Sequence, residues 1–167
     1  MIALKLTEIK TFMHQLLCTE IFDNFLLSEA TITKDAAFTI DGHFNRDFYT
    51  KEELEELQLT DAKILPYSML RPTCFELIKG RHTPVYFKFI LMLSPENMAH
   101  TLSRSESELT TTDVRGILLN ITFQNGQLTL TTGISYANFS LDHTLDKEWD
   151  LMLQKFLYKH GVSFEEL

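Results

Sequence analysis

Apolar residues recur at i, i+3, i+4, i+7 and i+8 in Ile9, Phe12, Met13, Leu16 and Leu17. With Thr7 in front as N-cap, this spacing predicts an amphipathic helix of about three turns. The same offsets return in Trp149, Met152, Leu153, Phe156 and Leu157, with Asp146 and Glu148 early, Lys155 and Lys159 late, and Gly161 just beyond. Acids at the start, bases at the end and a terminal glycine are what a helix of this polarity calls for. Both apolar stripes belong to a packed core.

Alternation marks the strands. Asn125-Gly126 separates two runs of period two, which predicts a two-residue type I′ hairpin. Pairing outward from that turn sets Phe123 opposite Leu128 and Ile121 opposite Leu130 on an apolar face, with Thr122 opposite Thr129 and Asn120 opposite Thr131 on a polar one. A second hairpin is expected from Leu27–Thr33 and Ala37–Phe44, joined by Lys34-Asp35-Ala36, with Ala30, Ile32, Phe38 and Ile40 inward. Glu29, Asp41 and His43 then share its other face.

In the middle of the chain, Thr50-Lys51-Glu52-Glu53 is a capping box opening a short acidic helix to about Leu57. Cys74–Lys79 fits either a helix begun by Pro72 or a strand. The loop-like Lys79-Gly80-Arg81-His82-Thr83-Pro84 and the long run Val85–Leu93 favour two antiparallel strands joined by a loop. Ser94-Pro95-Glu96-Asn97 supplies an N-cap with proline at the first helical position and predicts a helix to about Leu102. Ser103–Asp113 is polar and rich in Ser and Thr, a loop of a length usually tied to mobility or function.

These elements make one α+β domain over residues 1–167: a curved antiparallel sheet with helices packed on one face and the Trp149 helix closing the core. A chain of 167 residues buries enough surface to fold without a disulfide or a metal, so stability implies no cofactor. Cys18 and Cys74 each sit in apolar surroundings and suit buried small hydrophobes in a reducing compartment. The N-terminus lacks a basic segment followed by an apolar one, and no apolar run approaches the length that spans a bilayer, so a cytoplasmic, non-membrane protein is expected. A formal charge of −8 works against general nucleic-acid binding.

Much chemistry is absent. The 6 glycines form no G-x-G, so neither a P-loop nor a dinucleotide fingerprint exists. The six histidines are scattered with no H-x-H or H-E-x-x-H, and no C-x-x-C occurs, which speaks against a compact metal site. No G-x-S-x-G elbow is present.

One stretch departs from the acidic background. Arg71, Lys79, Arg81 and Lys88 stand against Glu76 alone, a local balance of +3 with His82 among them. Cations gathered on an acidic domain focus field on anions. Arg71, Lys79, Arg81, His82 and Lys88 are therefore the candidate ligand-binding residues, with Lys88 and Arg71 nearer the apolar interior. Lys88 is the most informative, since it lies in an apolar run and a buried ammonium requires a carboxylate, a cavity or an anion. The expected ligand is a small anionic or amphipathic molecule. An enzymatic alternative uses Asp41 and His43 as base and partner on a phosphorylated or carboxylated substrate, as a hydrolase or isomerase. It requires Asp41 to reach both His43 and the basic loop. A third possibility, a protein–protein adaptor, requires an exposed apolar patch near Ser103–Asp113.

At Leu70-Arg71-Pro72, Leu77-Ile78-Lys79-Gly80, Thr83-Pro84, Leu93-Ser94-Pro95-Glu96-Asn97 and Phe164-Glu165-Glu166-Leu167, the chain resembles a family of uncharacterised clostridial proteins, a domain of unknown function. The resemblance implies a bacterial cytoplasmic setting and carries no activity, cofactor or catalytic residue. The order of elements is also similar to the helix-grip arrangement of lipid- and hormone-binding domains, which implies either a Phe-lined cavity between sheet and last helix or a solid core.

Overall fold

A computed structural model describes residues 1–167. Seven strands form one open, wholly antiparallel sheet: β1 (Ala3–Leu6), β2 (Phe25–Thr33), β3 (Ala37–Asp41), β4 (Tyr86–Leu93), β5 (Val114–Gln124), β6 (Gln127–Tyr136) and β7 (Phe164–Glu166), in the order β3-β2-β4-β5-β6-β1-β7. Five helices accompany it: α1 (Ile9–Cys18), α2 (Lys51–Glu56), α3 (Tyr67–Ile78), α4 (Pro95–Arg104) and α5 (Thr144–Lys159).

The β5–β6 hairpin has the register expected from its turn, Phe123 against Leu128 and Ile121 against Leu130 with Thr122 against Thr129 and Asn120 against Thr131. Positive φ at Asn125 (54°) and Gly126 (73°) is the backbone that a type I′ turn needs. One face of the sheet is apolar and carries the core: Leu27, Ala30 and Ile32 of β2, Phe87, Phe89 and Leu91 of β4, Ile117, Leu119 and Ile121 of β5, and Leu128 and Leu130 of β6 are all buried. Phe12 and Leu16 of α1, Tyr67 and Cys74 of α3, and Leu145, Trp149, Leu153 and Leu157 of α5 join the same cluster. The Trp149 indole N–H donates to Leu118 O at 2.9 Å, so the one polar atom of that ring is satisfied inside the core. Phe12, Phe22, Phe25 and Phe156 pack ring on ring at 5.5–6.3 Å within this core.

Several sequence expectations need correction. Cys74–Lys79 is not a strand: the helix α3 starts at Tyr67, after Pro66, and runs through Pro72 to Ile78. Tyr67, Leu70, Cys74 and Ile78 follow a helical period that the interior proline masks. Pro72 lies on the exposed side of the helix and donates no hydrogen bond to the Ser68 carbonyl. The N-cap of α1 is Glu8, and the Thr7 hydroxyl donates instead to Ser163 O at 3.3 Å. Met152 points outward; Leu145, Trp149, Leu153 and Leu157, every fourth residue, form the true inner stripe of α5. Cys18 is exposed, while Cys74 is fully buried. The edge strand β3 ends at Asp41, and Phe38 on it, expected inward, is 39% exposed.

Past β3 the chain crosses over a bulge in β2 between Leu27 and Glu29. Gly42 donates its N–H to Ser28 O at 3.0 Å and accepts from Leu65 N–H at 2.9 Å. A Cβ at position 42 would sit 1.6 Å from Leu27 O, so only glycine allows this approach. In α2, Thr50 Oγ1 accepts from Glu53 N–H at 3.2 Å, the expected cap.

Candidate functional site

The five candidates separate into three settings, helix, sheet and loop. Arg71, on α3, makes a two-pronged pair with Asp23: Nε donates to Oδ1 at 3.0 Å and Nη2 to Oδ2 at 2.9 Å. The two side chains are only 21% and 20% exposed. The Asp23 hydrogen bonds raise the Arg71 pKa above its ordinary value, and the two-pronged pair ties α3 to the α1–β2 connection. Lys79 closes α3 and folds back on Glu76 at 2.8 Å with its ammonium 5.6 Å from the Phe75 ring centre. Lys88 lies on the outer face of the sheet, half-buried between Thr31 and Thr122 on the neighbouring strands, and not in the apolar interior. Sheet topology explains this: Phe87 and Phe89 take the inner face, so Lys88 between them must take the other.

Arg81 and His82 are different. They belong to the loop joining α3 to β4, rather than to a hairpin between strands. Strand order brings that loop against the β2–β3 turn, because β4 is the neighbour of β2 and the Val85 N–H donates to Thr33 O at 3.0 Å. Lys34, Asp35, Gly80, Arg81, His82, Thr83 and Val85 line an open notch of about 380 Å3. Gly80 takes φ +142°, a conformation suited to glycine, and the Lys34 ammonium lies 3.9 Å from where a Cβ there would be. Asp35, the one acid in the lining, has its Oδ1 accepting from Ala36 N–H at 3.0 Å. Lys34, Arg81 and His82 form no ion pair with a carboxylate, the pairs in the molecule being Met1–Asp150, His43–Asp41, Arg71–Asp23, Lys79–Glu76 and His143–Asp146. Lys34 is the site residue that sequence reasoning missed; its only signal was a place in a turn, and what that turn meets depends on strand order.

Asp41 and His43 do meet, with Nδ1 2.6 Å from Oδ1 and the His43 N–H donating to the same oxygen at 2.9 Å. The backbone hydrogen bond, then the ring, hold the Asp41 carboxyl below its ordinary value. Both side chains are open to solvent, 71% and 67% exposed. They stand at the far end of β3 from Lys34 and Asp35, about 17 Å away at strand rise. The basic notch and the acid–histidine pair therefore do not form one cleft. No group of three or more His, Cys, Asp and Glu side chains comes together as a metal site.

The expected Ser103–Asp113 loop begins only at Ser105, after α4, and is tied down by Glu148 of α5, whose carboxylate accepts from the Ser105 hydroxyl and, at 2.9 Å, from the Glu106 N–H. Next to it, where Ala137 N–H donates to Asp113 O, the chain turns out into Phe139 and Leu141; Phe139 is 89% exposed.

Fold and site together define an α+β domain with an open seven-stranded antiparallel sheet, helices on its apolar face and an unpaired basic notch at one end. The chain belongs to the family of unknown function DUF5721, whose model matches residues 15–165. No curated protein and no solved structure matches it. No helix is long and apolar enough to cross a membrane.

Proposed function

We propose that this domain is a binding module for a small phosphate- or carboxylate-bearing ligand, held at the notch between the β2–β3 turn and the α3–β4 loop. The observation that supports this reading is the convergence of Lys34, Arg81 and His82 on one concavity without a carboxylate partner. Arg81 offers a planar fork of donors suited to an oxyanion, Lys34 a mobile point charge, and Thr83 a hydroxyl. Val85, exposed at the rim, gives an apolar contact for an amphipathic ligand. The setting we assign is a reducing bacterial cytoplasm, which the two unpaired cysteines favour.

The test is a two-dimensional amide NMR titration of the whole chain with inorganic phosphate and, separately, acetate at low ionic strength. Shifts confined to residues 34–36 and 80–85, saturating and reversed by salt, support the reading. Absence of saturable shifts there with both anions would sink it. A protein-docking role gains support from Phe139 alone, since a large apolar side chain left in water forgoes about 1.5–3 kcal/mol of burial. A Phe139→Ser change that leaves every binding partner in place in a pull-down overturns that second reading.

A further inference from the structure

Two surface patches lie outside the notch. Leu145, Trp149, Leu153 and Leu157 turn one side of α5 into the core, so Lys147, Leu151, Lys155 and Tyr158 run along the opposite side with Lys159 at its edge. Leu151 is 55% and Tyr158 71% exposed. None of these lysines is ion-paired, and the stripe ends in a shallow depression of about 340 Å3 lined by Tyr158, Val162 and Phe164 among others. On a chain of charge −8, this is a basic and apolar face, and Glu148, an acid on the same side, is engaged by the Ser105 hydroxyl and the Glu106 N–H.

The second patch has the opposite sign. In α2 Leu54 points inward, so Glu52 and Glu56, two residues to either side, point out, with Glu53 and Glu55 on the flanks. None of the four is paired. Before the helix stands Phe48, 77% exposed and held edge-on against Tyr49 at 5.0 Å; after it stands the exposed Leu57.

We infer that these patches are the two halves of a head-to-tail contact between copies of this chain, α5 of one against the Phe48–Leu57 segment of the next. Opposite charge makes each the natural partner of the other. Their lengths agree: Leu151 to Tyr158 spans about 10 Å of helix and α2 about 9 Å. Laid antiparallel, the Phe48 ring enters the depression beside Tyr158, Leu57 lies toward Leu151, and Glu52 and Glu56 fall beside Lys159 and Lys155, one turn apart on each helix. An anionic membrane or an unrelated acidic protein would occupy α5 and leave the α2 patch without a role. Because the halves differ, two copies do not close the contact, and assembly grows with concentration. A contact of this size, below about 1,200 Å2 in total, is weak and salt-sensitive.

Sedimentation velocity of the full chain from micromolar to millimolar concentration, at low and high salt, tests this. Reversible association lost at high salt is expected. Lys155→Glu with Lys159→Glu, and separately Glu52→Lys with Glu56→Lys, each weaken it by about tenfold or more, while the chain carrying all four changes recovers to within about threefold of the parent. Phe48→Ser, which alters no charge, weakens it about fivefold. A monomer at every concentration in low salt overturns the inference, as does association that ignores both charge reversals or fails to recover when they are combined.

Discussion

The helix α3 with its C-cap and the loop that follows it carry the same kind of side chain and put it to different use. On α3, Arg71 and Lys79 are each held by an acid, Asp23 from the α1–β2 connection and Glu76 one turn back. A few residues on, Arg81 and His82 face Lys34 across an open notch with no acid paired to any of them. A helix offers each cation neighbours at three and four residues, and its packed side offers partners from other elements. A loop offers neither, so its charges stay available. The difference teaches that a stretch's net charge counts groups of two kinds, those spent on the fold and those left for a ligand.

The largest effect separating the two kinds is on stability. Replacing Arg71 with Ala removes two charge-assisted hydrogen bonds and leaves the largely covered Asp23 carboxylate alone, which costs about 2 kcal/mol. Urea denaturation reads this loss, and phosphate affinity of the folded variant stays at the parent value. Arg81→Ala does the converse: phosphate affinity falls about fivefold or more in the amide titration, while stability stays within about 0.5 kcal/mol. Lys79→Ala is smaller still, under about 0.5 kcal/mol in denaturation and under about twofold in affinity, because the Lys79–Glu76 pair is exposed.

The cysteines show the same division between spent and available groups. Burial pushes the Cys74 thiol up to about 12 from an ordinary 9.0, and Cys18 lies open to solvent. A disulfide reagent at pH 8 is therefore expected to titrate one thiol in the folded chain and two after unfolding. The buried thiol is held neutral, so its contribution is complete below pH 9.0 and is lost as pH rises toward about 12, a slope that Cys74→Ala removes from the alkaline stability curve.

How much of this was legible in the sequence depends on how local each feature is. The β5–β6 register followed from two turn residues and a period of two, and the caps at Thr50 and Ser94 from side-chain chemistry three residues ahead. The α3 helix did not follow, because Pro72 breaks the local pattern while Tyr67 and Cys74, seven residues apart, are fixed by packing against the sheet. The candidate site was half legible. Arg81 and His82 were among the five candidates of the basic stretch, but Asp23 as the partner of Arg71 and Lys34 as the third member of the notch are products of tertiary contact, 48 residues apart in the first case. Alternation alone put Lys88 on one face of β4; which face the helices cover is a property of the whole sheet.

The central claim is that, among the cations from Arg71 to Lys88, those of the loop, together with Lys34 facing them, are the ones that hold an anion. Phosphate dissociation constants for Arg81→Ala, Lys34→Ala, Lys79→Ala and Lys88→Met, measured side by side by amide NMR in one low-salt buffer, test it most directly. The account predicts weakened binding in the first two and parental binding in the last two. Equal constants across all four, or the greatest loss in Lys79→Ala or Lys88→Met, would contradict it.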